Sequence, residues 1–255
     1  MRGARDIEVV VFDVLGTMVD ESGGLRAAIG DALHASDGAS GEVTADGLLT
    51  VWREHVEGEQ RRIGEGTRAY ADSEAIDREA AQRVAERAGI KDPVAIGRLA
   101  AASRRLRPWE DSVAGLTRLA RHFPVLGLSN AGHGTLLRLN AHAGLRWHQV
   151  LSAEDAQAYK PAPEVYRLAI EAAGCPPEHV LMVAAHAWDL RGAQAVGMRT
   201  AFVQRPVGDP PMATDSFDWQ ARSLEELAAV LTSYAPATPQ HDGASLTRPA
   251  QRKSP

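Results

Sequence analysis

The sequence predicts an α/β protein, a doubly wound parallel sheet with a helical domain inserted near its start. Three observations carry this. Short apolar runs rich in β-branched residues recur along the chain, and helical patterns separate them. One long Ala-, Glu- and Arg-rich segment, between the first two runs, has apolar residues at helical spacing and no strand-like run.

Taken in order, the chain rises through an apolar run at 7–12, which reads as a strand buried on both faces. Asp13 stands at its carboxyl end, and Gly16-Thr17 turn the chain into a loop. Residues 24–106 form the insertion, expected to lie as a helical cap over the carboxyl edge of the sheet. "RPWEDSVAGL" then leads back to the core. Helices are predicted over 115–121, 134–143, 163–173, 189–196 and 224–231. Strands are predicted over 124–128, 180–184 and 200–203, with a weaker one at 148–154. The alternation implies right-handed crossovers. The core therefore comprises residues 1–23 and 107–234, and the tail 235–255, rich in Pro, Ser, Thr and Gln, reads as disordered.

Composition narrows the function. With 255 residues, 44% hydrophobic and 24% charged, the chain is an ordinary globular protein of one large domain or a core with an inserted smaller one. A net charge of −5 gives no electrostatic case for nucleic acid or an anionic membrane. The single Cys175 excludes an internal disulfide and a thiolate metal cluster and suits a reducing compartment. No apolar run approaches the ~20 residues that span a bilayer. The first residues pass from charge into a strand without a cleavage signal, so a cytoplasmic protein is expected.

In an open parallel sheet, ligands bind beyond the carboxyl ends of the strands, and there the chemistry-bearing residues gather. Asp13 is either a turn residue or a reactive carboxylate, and Thr17 caps the turn or holds that carboxylate. Ser129 and Asn130 end the second long strand, either as an N-cap or as an anion site with free backbone N–H groups. Lys160 precedes Pro161, which is expected to open a helix, and a lysine held beside two carboxylates would lower their pKa values. Tyr166 follows on that helix, where packing is the simplest reading. Asp189 opens another helix, where an acid also suits the macrodipole, with His186 and Trp188 beside it. No metal-ligand spacing accompanies His186. The spacing thus assembles two acids, one base and an anion cradle on one edge.

These residues resemble the four motifs, in order, of the haloacid dehalogenase superfamily, over residues 7–20 and about 108–206. The first motif usually runs Asp-x-Asp-Gly-Thr, with a nucleophile and then a general acid. Here it reads Asp13-Val14-Leu15-Gly16-Thr17, so the second acid is absent. The fourth motif of the phosphatases has two acids four apart; here Asp189 is preceded by Ala185. Phosphoryl transfer relies on a metal and on a proton for its leaving alkoxide, whereas halide leaves as a stable anion. The pattern is similar to that of the (S)-specific, inverting 2-haloacid dehalogenases, which often have an aromatic residue in place of Leu15 and an Arg in the cap, often after Trp. Trp52-Arg53 match that pair.

The resemblance implies Asp13 as nucleophile, Lys160 orienting it, Asp189 with His186 handling water, and Arg53 at the departing halide. Ser129, Asn130, Val14, Leu15 and Thr17 would contact substrate, with Tyr166, Trp52 and Trp188 among the apolar walls. It implies a small 2-haloacid and water as partners, no metal or other cofactor, and a homodimer. A Mg²⁺-dependent phosphatase of the same fold, or an inactive binding protein, are the alternatives. In this sequence the Ser and Asn that the family has near its last acid are Ala184 and His186.

Overall fold

The computed structural model describes residues 4–35 and 43–234. The expected tail, 235–255, lies outside them. Six strands form one sheet: β1 (Val9–Asp13), β2 (Val125–Ser129), β3 (Gln149–Ser152), β4 (Val180–Ala184), β5 (Arg199–Val203) and β6 (Trp219–Ala221). Their spatial order is β3-β2-β1-β4-β5-β6, and every pairing is parallel. Strand order reverses beside β1, so the crevice between β1 and β4 is the topological switch point.

The period of two along β1 sorts its residues between two layers. Val10 and Phe12 pack on one face with helices α5 (Ser112–Leu119), α6 (His133–Ala143) and α9 (Leu224–Tyr234). Val9 and Val11 pack on the other with α7 (Pro163–Ala173) and α8 (Ala187–Ala195). All five residues of β1 are buried, which is why its run reads as continuously apolar until Asp13. The register sets Asp13 opposite Leu128 and Ser129 opposite Ser152, so the strand ends share one edge.

Between β1 and β2 stand α1 (Glu21–His34), α2 (Ala45–Gly64), α3 (Ser73–Ala88) and α4 (Pro93–Ala100). They bury a core of their own, with Leu25, Ile29, Leu48, Trp52, Val84 and Leu99 among its members. Asp20, Thr44, Asp72 and Asp92 cap the four helices by accepting backbone N–H bonds. The insertion rests on the sheet edge: Ser73 Oγ accepts from Gly132 N at 2.8 Å, Tyr159 donates to Ala71 O at 2.7 Å, and Tyr159 stacks on Tyr70. The outgoing and returning chains lie side by side, with Asp20 N donating to Arg107 O and Trp109 N to Met18 O.

The predicted elements shift in detail. β6 is not expected from the sequence; three residues, of which only Ala221 is buried, leave no apolar run to read. Pro161 does not open α7, which begins at Pro163 after a turn. α8 begins at Ala187, so Asp189 is its third residue and His186 its N-cap. No helix of the described residues is long and apolar enough to cross a membrane.

Candidate active site

Four elements meet at Asp13. Its Oδ1 accepts from Lys160 Nζ at 3.0 Å, and its Oδ2 accepts from Thr17 Oγ1 at 2.7 Å. Thr17 Oγ1 in turn accepts from Ala185 N at 2.9 Å, tying the turn after β1 to the turn after β4. Thr17 thus holds the carboxylate. Gly16 makes this turn possible with φ +78°, and it is packed tightly: a methyl group built on it would lie 2.5 Å from His186 Nε2.

Lys160 also donates to Asp189 Oδ2 at 2.7 Å, while Tyr166 donates to Asp189 Oδ1 at 2.7 Å. Lys160 is 4% exposed, Asp13 6% and Asp189 0%, so the three charges are desolvated together. One cation faces two acids, leaving one uncompensated negative charge. Burial opposes the lysine's charge, yet the two acids hold its pKa above the ordinary value. Burial, and then Asp13, push Asp189 up against the pull of Lys160 and Tyr166. As expected, Lys160 pulls the Asp189 pKa down, but desolvation outweighs that pull and the net shift is upward. Tyr166, expected on a substrate wall, is fully buried, and its hydroxyl orients Asp189 instead.

Ser129 is buried, and its Oγ accepts from Ala131 N at 3.2 Å; among the described residues its own proton has no acceptor. The N-cap of α6 is Gly132, not the Ser-Asn pair. Asn130 Oδ1 accepts from Lys160 N at 2.9 Å, positioning the lysine, and its Nδ2 reaches Gln60 on α2 at 3.5 Å. Val14 is buried in the sheet core and Leu15 is half-buried beside it. His186 and Trp188 stack with centroids 5.9 Å apart. Arg53 is exposed on α2 and donates to Ser22 Oγ, whereas its neighbour Trp52 packs inside the helical insertion. His133 is an exposed residue paired with Asp155.

Glu21 was missed in the sequence. As the first residue of a helix it has a bland explanation in the macrodipole. Folding sets it half-buried, in the electrostatic reach of His186, Asp13, Arg53, Glu57 and Asp77. Burial pushes its carboxyl up, His186 and Arg53 pull it down, and Asp13 pushes it further up. Asp77, beside it, is pushed up to about 7 by burial and by Glu21. When ionised, Glu21 opposes an anionic ligand, and it becomes neutral as pH falls through its raised pKa. An anionic substrate is therefore expected to bind more tightly as pH falls through that window. Glu21→Gln should lower KM by up to roughly tenfold, one like-charge repulsion of ~1.4 kcal/mol, at pH values above the raised pKa, where Glu21 is ionised. It should also flatten the dependence of KM on pH; an unchanged profile would show that Glu21 does not face the substrate.

Fold and edge together define a class, a doubly wound α/β core with an acid closing its first strand and helices inserted directly after it. The family model for haloacid dehalogenase-like hydrolases matches residues 7–197, and the chain belongs to that family. Within it the chain is similar to (S)-2-haloacid dehalogenases. It is 29% identical to (S)-2-haloacid dehalogenase 4A of Burkholderia cepacia, over 88% of this chain and 95% of the relative. The crystal structure of a defluorinating L-2-haloacid dehalogenase superposes with a TM-score of 0.80 at 32% identity, covering 91% of this chain and 99% of that one. The L-2-haloacid dehalogenase of Xanthobacter autotrophicus with chloropropionic acid covalently bound superposes with a TM-score of 0.75 at 26% identity, covering 90% and 100%.

Proposed function

We propose that this protein hydrolyses short (S)-2-haloalkanoic acids to (R)-2-hydroxyalkanoic acids, with Asp13 as the nucleophile and without a cofactor. The observation that carries the reading is the lysine bridging two acids: Lys160 Nζ reaches both Asp13 and Asp189. It supplies a fixed positive charge between the two acids. The donor set suits a divalent cation poorly. Leu15 and Ala185 offer no side-chain oxygen, and among the described residues no three His, Cys, Asp or Glu side chains converge. A phosphate ester also needs a protonated leaving group, which Leu15 cannot serve.

In the first half-reaction an Asp13 carboxylate oxygen attacks the α-carbon from the side opposite the halogen. The carbon–halogen bond breaks, the halide takes the bonding pair, and the centre inverts. Lys160 and Thr17 hold the carboxylate so that a free lone pair faces substrate. The Ser129 hydroxyl and backbone N–H groups near Val14, Leu15 and Asn130 receive the substrate carboxylate. Arg53 stabilises the departing halide from the insertion, which acts as a cap excluding bulk water. In the second half-reaction water attacks the ester carbonyl of Asp13, and the bond from that carbonyl to the product oxygen breaks. Asp189, whose raised proton affinity suits a base, and His186 orient that water, take its proton and pass one to the departing hydroxy-acid oxygen. Trp188, stacked on His186, closes the wall. The lone Cys175 is consistent with a cytosolic setting, and we extend the proposal to a homodimer on the family resemblance.

Halide release from (S)- and (R)-2-chloropropionate, with and without chelator, tests the proposal. Release from the (S) enantiomer alone, with the (R)-hydroxy acid as product and no effect of chelator, is the expected result. Turnover that requires Mg²⁺, or hydrolysis of phosphate esters in its place, would replace it with the phosphatase reading.

A further inference from the structure

Beyond the acids and Lys160, a second set of contacts converges on the turn that follows Asp13. Arg205, two residues past β5, donates through Nε to Thr17 O at 2.8 Å and through Nη1 to Asp111 Oδ1 at 2.7 Å. Its guanidinium lies 5.8 Å from the centroid of the Trp109 ring. Trp109 Nε1 donates to Gly16 O at 3.0 Å. Adjacent carbonyls of the catalytic turn, those of Gly16 and Thr17, are therefore each held by one member of this clasp. Trp109 belongs to the returning connection from the helical insertion, bound at Met18 and flanked by the Val19–Pro108 bridge. Asp111 is anchored independently, because its Oδ2 accepts from Leu224 N at 2.7 Å.

This is a costly way to stabilise a fold. The Arg205 side chain is 5% exposed, its Nη2 is buried without a hydrogen-bond partner among the described residues, and burial pulls its pKa down. Its contacts go to the backbone whose side chain, Thr17, fixes Asp13 Oδ2. We propose that Arg205, with Trp109, is a positioning residue for the nucleophile, a clasp that locks the catalytic turn to the connection leading to the helical insertion. Through it, the placement of the insertion sets the angle at which Asp13 meets the substrate carbon. The role rests on the dehalogenase reading but involves residues that touch neither substrate nor halide.

The test compares Arg205→Met, Arg205→Lys and Trp109→Phe with the wild-type protein in halide release, in single-turnover formation and hydrolysis of the ester, and in thermal melting. Trp109→Phe keeps the ring under the guanidinium and deletes one hydrogen bond, so it folds even if Arg205→Met does not. The expected result is a fall in kcat of about tenfold for Trp109→Phe and about a hundredfold for Arg205→Met. The loss should sit in ester formation, with KM within about twofold of wild type, since an ångström of misplacement acts on the reacting geometry. Arg205→Lys should recover part of the rate by restoring the charge beside Asp111. Folded variants that form ester at the wild-type rate would overturn the role, as would losses in kcat that merely track melting temperature. A wild-type protein that releases no halide would overturn the dehalogenase reading itself, and this role with it.

Discussion

Asp13→Asn is expected to remove halide release, by about four orders of magnitude or more in kcat, while leaving a protein at least as stable as the original. The amide is isosteric but lacks the negative charge that displaces halide, so the first half-reaction has no nucleophile. Stability follows from the charge count. With Asp13 ionised, Lys160 faces two acids and one negative charge is uncompensated in a dry site. Asn at position 13 leaves a matched pair, Lys160 with Asp189, and removes one of the two causes that push the Asp189 carboxyl up. Melting temperature should therefore hold or rise as activity disappears. Turnover within tenfold of wild type would dismiss Asp13 as nucleophile, and a protein that unfolds would dismiss the charge argument.

Lys160→Met is expected to damage stability and activity together. Methionine fills similar volume, but it leaves Asp189, fully buried, with only Tyr166 to answer its charge, and leaves Asp13 with Thr17. Breaking a buried pair from one side costs about 3–5 kcal/mol. The pH dependence has a definite sign. Burial and Asp13 already push Asp189 up, and without Lys160 the largest opposing influence is gone. A carboxyl with a raised folded pKa contributes stability present below its unfolded pKa and lost as pH rises through the folded one. The deficit of the variant should thus be larger at pH 8 than at pH 5 in urea denaturation. A loss below about 1 kcal/mol that is the same at both pH values would show that the lysine's charge is not what holds the acids. Halide release should fall in the same variant, since nothing then orients Asp13 Oδ1.

Much of the core was legible because its signals are local. The runs at 7–12, 124–128 and 180–184 are apolar on both faces, and that pattern belongs to central strands of a covered parallel sheet. The break at Asp13-Gly16 marks a strand end for the same reason. β6 escaped because an edge strand of three residues makes too few contacts to require an apolar sequence. For Tyr166, helical spacing allows packing or a substrate wall, because it says that a face is buried but not which polar atom the ring's hydroxyl meets. Glu21 escaped because an acid in a first helical turn needs no further reason.

By itself, the sequence determined where the strands end, which acids and base those ends present, and that no carboxylate stands at Leu15 or Ala185. These are properties of single positions and of local periodicity. Tertiary structure alone decided that Lys160 bridges Asp13 and Asp189, partners 147 and 29 residues away, and that Arg205 reaches Thr17 across 188. It also decided the protonation tendencies, with Asp189 and Glu21 pushed up despite neighbouring cations. The physical reason is that strand order, not chain order, places these side chains together. A buried carboxyl then answers to the sum of its desolvation and every charge nearby, and that sum exists only once the sheet has closed the distances.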